Sequence, residues 1–141
     1  MIVLDTNVLS AVMSPNRDEL IVAWMDRIPK GESYITSVTL YEISSGIASL
    51  DEGQRKQQLE DDFLELRIKI FKSSILVFDA RAALVAGELG GRGKRAGRTI
   101  PIADLYIAAI AIANGASIAT RNVKHFMDLG APIVNPWDEL R

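Results

Sequence analysis

The chain has 141 residues, of which 48% are hydrophobic and 24% charged, and its formal net charge is −2. These values fit a single domain with a packed core over residues 1–141, and they exclude a disordered or collagen-like chain. The sequence has no cysteine and a single histidine, His125, which excludes disulfides, thiolate zinc sites and multi-histidine metal sites. An enzyme built from this chain would therefore use carboxylates, hydroxyls and a hard cation.

The N-terminus opens directly on Met1-Ile2-Val3-Leu4-Asp5, without a basic segment or an apolar run of signal-peptide length. The longest apolar stretch, around Ile102–Ala113, is too short to span a bilayer. Both features predict a cytoplasmic protein. Because the net charge is slightly negative, nucleic-acid contacts would have to come from a local basic patch.

Short apolar runs alternate with helical patterns along the chain. Strands are predicted at Met1–Leu4, Tyr34–Thr36, Ile75–Phe78, Ser117–Ala119 and Ile133–Val134. Helices are predicted at Asn7–Met13, at Glu19–Ile28 after a Ser14-Pro15-Asn16 breaker, and from Ser37 as N-cap through Glu42 toward Ala48. A longer helix is predicted at Gln54–Lys72, where Leu59, Phe63, Leu66 and Ile70 form an apolar row. Two more helices are predicted, one from Asp79 as N-cap to Gly90-Gly91 and one from Pro101 to Gly115. Apolar, non-alternating strands between helices predict an α/β fold whose mostly parallel sheet is covered on both faces. In such folds the binding crevice lies at the carboxyl ends of the strands.

Three carboxylates stand where this fold would use them. Asp5 follows the first strand, although an Asp-Thr-Asn sequence there is also typical of a helix-opening turn. Glu42 lies in the third helix between Tyr41 and Ile43, where a solvated surface glutamate is the simpler alternative. Asp104 is the most informative, because it lies near the start of an otherwise apolar helix and a buried carboxylate needs a partner. With no histidine and little lysine nearby in the sequence, we expect that partner to be a metal ion.

Three converging carboxylates would repel one another unless a divalent cation held them ionised. An all-oxygen site suits Mg²⁺, or Mn²⁺ as the alternative. Such a cation polarises a phosphoryl oxygen and lowers the pKa of water, which is the chemistry of phosphodiester hydrolysis. The carboxylates therefore indicate a metal-dependent hydrolase.

Five motifs in order over residues 2–137 resemble those of VapC toxins, and more narrowly the FitB-like branch of the PIN-domain superfamily. They are Met1-Ile2-Val3-Leu4-Asp5-Thr6-Asn7-Val8-Leu9, Tyr41-Glu42-Ile43, Pro101-Ile102-Ala103-Asp104, Ala119-Thr120-Arg121-Asn122 and Asn135-Pro136-Trp137. The resemblance implies a three-layer α/β/α PIN fold and a Mg²⁺-dependent endoribonuclease directed at single strands. It also implies a homodimeric toxin that binds a small DNA-binding antitoxin of the VapB or FitA kind, through which alone it reaches operator DNA.

The same resemblance assigns roles to individual residues. Asp5, Glu42 and Asp104 match the family's principal acidic positions, and Thr6 and Thr120 match hydroxyl positions that orient the cluster. Position 122, where many PIN domains carry a fourth acid, is Asn122 here. An amide accepts a hydrogen bond but contributes no charge. The hypothesis is therefore one tightly held ion, with any second ion arriving with the substrate phosphate.

Other features carry weaker expectations. Arg92, Lys94, Arg95 and Arg98 are read as a flexible basic loop before the Asp104 helix, which would guide an RNA backbone or meet an acidic antitoxin segment. His125 is interpreted as a surface or packing residue. The apolar face of Glu19–Ile28, with Trp24, is expected to form the homodimer interface.

Two other functions compete with the ribonuclease. Asn122 is compatible with a catalytically weak or inactive PIN module that acts with its antitoxin in DNA binding and autoregulation. An aspartyl-phosphate phosphotransferase would want a second acid two residues after Asp5, and that position is Asn7.

Overall fold

The computed structural model describes residues 1–13, 15, 17–72 and 74–139, and the side chains of residues 69 and 70 are outside that description. Five strands form a parallel sheet in the order β3-β2-β1-β4-β5. They are β1 (Ile2–Leu4), β2 (Ser33–Thr36), β3 (Ile75–Leu76), β4 (Ser117–Ala119) and β5 (Ile133–Val134). The predicted α/β class is confirmed, and the described sheet is parallel throughout.

The helices connect these strands. They are α1 (Thr6–Ala11), α2 (Glu19–Asp26), α3 (Ser37–Ala48), α4 (Gln54–Glu65) with a π-helical segment at Leu66–Ile70, α5 (Ala80–Arg95), α6 (Ile102–Ala113), α7 (Val123–Phe126) and α8 (Pro136–Glu139). Most predicted elements are present with bounds shifted by a few residues. Ser14 and Asn16 of the predicted breaker, and the side chain of Ile70 in the apolar row, lie outside the described residues.

Both faces of the sheet are buried. Neighbouring residues of one strand point to opposite faces, and each set packs into a separate core. Leu4 packs into a core with α1, α2, α3 and α4, whereas its neighbour Val3 packs into a second core with α6 and α7. In β4, Ala119 joins the first core and Ile118 the second. This explains the uninterrupted apolar strands and confirms the three-layer arrangement.

Two predicted helix boundaries are wrong. The N-cap of α3 is Thr36, whose Oγ1 accepts the Thr39 amide at 3.0 Å, and Ser37 is already the first helical residue. The Gly90-Gly91 pair does not end α5, which continues to Arg95. Glycine costs a helix interior about 1 kcal/mol each, but α5 is held against α6 by buried contacts that include Leu89 and Leu105.

Candidate metal site at the carboxyl edge of the sheet

The carboxyl end of β1 lies where the strand order reverses. The chain passes from β1 to β2 on one side of it, and β4 later pairs on the other side. In parallel sheets this switch point opens the crevice that binds ligands. Asp5 follows β1, Thr36 ends β2 and Thr120 follows β4, so three polar side chains meet at this edge.

Asp5 is held on both carboxylate oxygens. Its Oδ1 accepts the backbone amide of Thr6 at 2.8 Å, and its Oδ2 accepts the Thr120 hydroxyl at 2.7 Å and the Asn7 side-chain amide at 2.9 Å. The helix-opening contact weighed from the sequence is therefore real. Asp5 begins α1 and also presents a fixed carboxylate at the edge of the sheet.

The charge on Asp5 is costly in this setting. Its side chain is only 2% exposed. Burial raises the pKa of Asp5 to about 6, against the lowering effect of hydrogen bonds from Thr120 and Thr6, and the negative charges of Asp104 and Glu42 raise this pKa further. Three carboxylates thus interact electrostatically at one edge, although they are distant in sequence.

Glu42 is delivered by α3 and joined to the start of α1. Its Oε1 accepts the Thr6 hydroxyl at 2.6 Å. Thr36 is the N-cap of α3, and its hydroxyl contacts the hydroxyl of Thr39. The Thr39 hydroxyl in turn lies 3.5 Å from that of Thr6. Glu42 is therefore a partly buried, oriented side chain, and the surface-glutamate alternative does not describe it.

Asp104 lies in the first turn of α6, with its side chain 14% exposed, and contacts His125, for which the sequence predicts only a surface or packing role. Its Oδ2 is 2.6 Å from Nδ1 of His125, which the short helix α7 carries. The expectation that no histidine lies near Asp104 is therefore wrong in space. The buried ring of Phe126 anchors α7 beside α6 and brings the imidazole to the carboxylate.

Thr120 and Asn7 complete the network around Asp5. Besides donating to Asp5, the Thr120 hydroxyl accepts the Asn122 backbone amide at 3.0 Å and lies 3.3 Å from the Asn7 amide nitrogen. Asn122 thus enters the network through its backbone, and its side chain is exposed. Sequence reasoning missed the roles of Asn7 and His125. The Asp-Thr-Asn spacing pointed to Asn7, and no local pattern pointed to His125.

The donor set fits a hydrated hard cation better than a fully dehydrated one. Among the described residues, no three acidic or histidine side chains stand close enough to ligate one ion together. Mg²⁺ usually keeps several waters and binds proteins through one or two carboxylates. Asp5, with Glu42 and Asp104 acting on its charge, matches that mode, and a cation would relieve their mutual repulsion.

The predicted basic loop takes a different form. Arg92, Lys94 and Arg95 belong to the last turn of α5, where cations complement the helix dipole. Arg98 follows that helix and pairs with Asp128 at 3.9 Å, while donating to the Met127 carbonyl at 3.1 Å. The described part of the chain records no contact between these four cations and the three carboxylates.

A cavity of about 290 Å³ opens beside Thr6 and Glu42. Its wall is mainly apolar, and Arg55 lies in it as the one basic residue of the described lining. The other lining residues are Ser10, Met13, Pro15, Ile43, Gly46, Ile47, Leu50 and Leu59. Among the three carboxylates, Glu42 is therefore the one that this cavity reaches.

The model of the PIN domain family matches residues 2–130 of the chain. The chain belongs to the PIN domain family. This PIN domain is 33% identical over 139 residues to the toxin FitB of Neisseria gonorrhoeae, covering 99% of this chain and 100% of FitB. It is also 33% identical over 138 residues to the VapC ribonuclease Y4jK of Sinorhizobium fredii, covering 98% of this chain and 99% of that protein.

Solved structures of relatives share the fold of this PIN domain. A chain in the structure of FitAB bound to an IR36 DNA fragment superposes with a TM-score of 0.87 at 34% identity, covering 97% of this chain and 96% of that chain. The resemblance to VapC and FitB toxins drawn from the motifs is therefore confirmed. Within the residues that the structure describes, no helix combines the length and apolarity required to cross a membrane.

Proposed function

We propose that this PIN domain is a Mg²⁺-dependent endoribonuclease, with Mn²⁺ as the alternative ion, and the toxin of a toxin–antitoxin pair. Asp5, Glu42 and Asp104 would hold the hydrated cation, with part of the contact made through its water ligands. The observation that carries the proposal is the buried Asp5, whose pKa of about 6 reflects burial and the charges of the two other carboxylates. Relatives named VapC ribonuclease and FitB toxin support the RNA substrate and the biological role.

The chain's own residues orient the proposed site before substrate arrives. Thr120, Asn7 and the Thr6 amide fix both oxygens of Asp5, the Thr6 hydroxyl fixes Glu42, and His125 fixes Asp104. When bound, Mg²⁺ would polarise the scissile phosphate and lower the pKa of the attacking water. Preorganised carboxylates avoid the cost of ordering during the reaction.

The proposed partner is a small DNA-binding antitoxin of the VapB or FitA kind, encoded with the toxin. Solved relatives include toxin–antitoxin complexes with DNA fragments, among them FitAB with an IR36 fragment. We infer that this chain reaches operator DNA through such an antitoxin. We place the reaction in the cytoplasm, where cellular RNA and the antitoxin would both be present.

We also propose a homodimer, in which Trp24, expected at the interface from the sequence, takes no part. Trp24 is 5% exposed and its Nε1 donates to Glu139 at 2.7 Å, so it belongs to the core of its own subunit. On α2 the large apolar side chain of Leu20 is exposed, and further exposed apolar side chains lie on other helices at Tyr41, Leu84 and Ile102. Charged substitutions there should convert a dimer to a monomer in light-scattering measurements, whereas Leu20→Glu on α2 should not.

The decisive experiment is cleavage of cellular RNA by the purified chain, with and without EDTA. Asp5→Asn, Glu42→Gln and Asp104→Asn should each lower the rate by about a hundredfold or more, as loss of a preorganised electrostatic group does. Asp61→Asn is the matched control, because Asp61 is exposed on α4 and outside the network. Cleavage that persists in EDTA, or in all three site variants, would contradict the proposal.

A second function deserves the same experiment because Asn122 replaces a fourth acid. In that alternative the chain is a catalytically weak PIN module that acts with its antitoxin in DNA binding. Asp104→Asn separates the two functions, since it should abolish RNA cleavage and growth arrest while leaving antitoxin binding intact. Equal growth effects of wild type and Asp104→Asn, together with an operator shift by the complex, would favour the alternative.

A further inference from the structure

An acidic site that cleaves a polyanion needs cations beside it, because the carboxylates repel the flanking phosphates. Several cations of this chain are engaged with acids elsewhere. Arg17 pairs with Glu19 at 3.0 Å, and Arg98 pairs with Asp128. A cation that serves the site should lie at the carboxyl edge of the sheet and have no acidic partner among the described residues.

Arg121 has that position, and its backbone is tied to the acidic cluster. It directly follows Thr120, whose hydroxyl donates to Asp5. The Arg121 amide donates to Oδ1 of Asn7 at 3.1 Å, and the Nδ2 of the same Asn7 donates to Asp5 at 2.9 Å. The same contacts that orient the Asp5 carboxylate therefore also fix the backbone of Arg121, from which its side chain extends.

The guanidinium of Arg121 is held without being neutralised. Its Cζ lies 4.9 Å from the ring centroid of Trp137, and no carboxylate of the described residues pairs with it. Trp137 is itself fixed, with its backbone amide donating to Asn135 at 3.1 Å and its indole N–H to Asp18 at 3.3 Å. A guanidinium stacked by its face keeps its in-plane N–H donors free, which is the geometry that binds a phosphate with two hydrogen bonds.

We propose that Arg121, stacked on Trp137, binds a phosphate of the RNA strand next to the one at the acidic cluster. This inference rests on the proposed ribonuclease function and assigns one arm of its substrate site. Arg121 contributes the phosphate contact, and Trp137 is a positioning residue that restricts the arginine. The pair lies on the β4 side of β1, opposite the cavity beside Glu42, which belongs to the helix following β2.

The test measures binding of a short labelled single-stranded RNA by fluorescence anisotropy, across a range of salt concentrations, in the inactive Asp104→Asn background with Mg²⁺. Arg121→Gln should weaken binding roughly tenfold at low salt, as expected for a lost charge-assisted hydrogen bond. It should also reduce the slope of log affinity against log salt by about 0.7, the value for one phosphate contact on a single strand.

The matched control is Arg67→Gln. Arg67 is also an exposed arginine stacked on an aromatic ring, with its Cζ 4.8 Å from the Phe63 centroid, but it lies beyond the end of α4. Its loss removes the same charge and the same type of aromatic contact. Because Arg67 has no contact with the network around Asp5 among the described residues, the slope of log affinity against log salt should stay unchanged. Equal losses in the two variants would reduce the effect to net charge and overturn the proposal.

Two further variants test the role of Trp137. Trp137→Phe keeps an aromatic ring and should bind RNA almost as tightly as the parent. Trp137→Leu should weaken binding several-fold with an unchanged salt slope, because the arginine keeps its charge but is no longer held in place.

Two outcomes would overturn the inference. In the Asp104→Asn parent, Arg121→Gln could leave RNA binding unchanged and weaken antitoxin binding. That result would assign the arginine to the partner interface and overturn the proposal. If wild-type protein neither binds nor cleaves RNA, the ribonuclease function itself fails and takes this inference with it.

Discussion

The carboxylate of Asp5 combines near-complete burial with dense hydrogen bonding. Its oxygens accept three hydrogen bonds, yet burial and two neighbouring charges still hold its pKa at about 6. A group with that pKa exchanges its proton within the range where enzymes commonly work. Without a bound cation, the Asp5 carboxyl therefore passes between its protonated and ionised forms near pH 6.

The raised pKa of Asp5 predicts a pH-dependent loss of stability in metal-free protein. The folded state binds the proton more tightly than the unfolded state, so the free energy of unfolding falls as pH rises from about 4 to about 6. A shift from 3.8 to about 6 corresponds to a contribution of about 3 kcal/mol, with the cost fully present above pH 6. Urea unfolding in EDTA should show this fall for wild type relative to Asp5→Asn. A difference between the two proteins that does not vary with pH would contradict it.

The hydroxyl of Thr120 opposes that effect, which yields a second prediction. Thr120→Val removes the hydrogen bond that lowers the pKa of Asp5. The acidic limb of the pH–rate profile for RNA cleavage should therefore move to higher pH, with reduced activity at pH 7 and partial recovery at pH 8. Thr120→Ser keeps the hydroxyl and is the control. Equal pH profiles for valine and serine would show that the hydroxyl does not tune Asp5.

At the scale of elements, α5 contains glycines in two different environments. A methyl group added at Gly87 would meet nothing within 4 Å, whereas one added at Gly93 would lie 3.1 Å from Cδ1 of Ile100. The close approach at Gly93 brings the end of α5 against the segment that leads into α6. The two positions allow helix propensity to be separated from packing.

We expect Gly87→Ala to stabilise the protein by about 0.5–1 kcal/mol, because alanine loses less backbone entropy in a helix interior. Gly93→Ala should gain less or lose stability, since Ile100 must move to admit the methyl group. Urea midpoints of the two variants decide the matter. An equal gain at both positions would show that Ile100 yields without cost.

Elements with a strong local signal could be predicted from sequence. The apolar run before Asp5 predicts a buried strand, and Val3 and Leu4 are fully buried. The N-cap at Asp79 was predicted as well, and its Oδ1 accepts the Ala82 amide at 2.9 Å. The true end of α5 could not be predicted, because packing against α6 overrides the low helix propensity of its glycines.

The site was predictable in part for the same reason. Acidic residues at strand ends and in an apolar helix are visible in the sequence, and the three carboxylates do interact at one edge. The contact between Asp104 and His125 was not predictable, because it depends on how α7 packs beside α6. The role of Asp5, Glu42 and Asp104 as metal ligands remains a prediction that the cleavage experiment tests.

At the scale of the whole molecule, the proposed ligands follow β1 or lie in α3 and α6, so a bound ion would link distant parts of the fold. A ligand that binds only the folded state stabilises it by about 2.7 kcal/mol at a hundredfold excess over its Kd. For a chain of this size we expect Mg²⁺ to raise the Tm by roughly 5–10 °C. Asp104→Asn should lose most of that shift, and Asp61→Asn should keep it. A shift that survives in Asp104→Asn would place the ion elsewhere.

The pairing of β1 with β4 has a consequence for synthesis on the ribosome. Asp5 emerges early, but Thr120 and the strand that flanks it are translated more than a hundred residues later. A nascent chain that stops short of β4 therefore carries the first acids without the scaffold that orients them. Interrupted translation would release an inert fragment, so a cell making this nuclease meets its full activity only when nearly the whole message has been read.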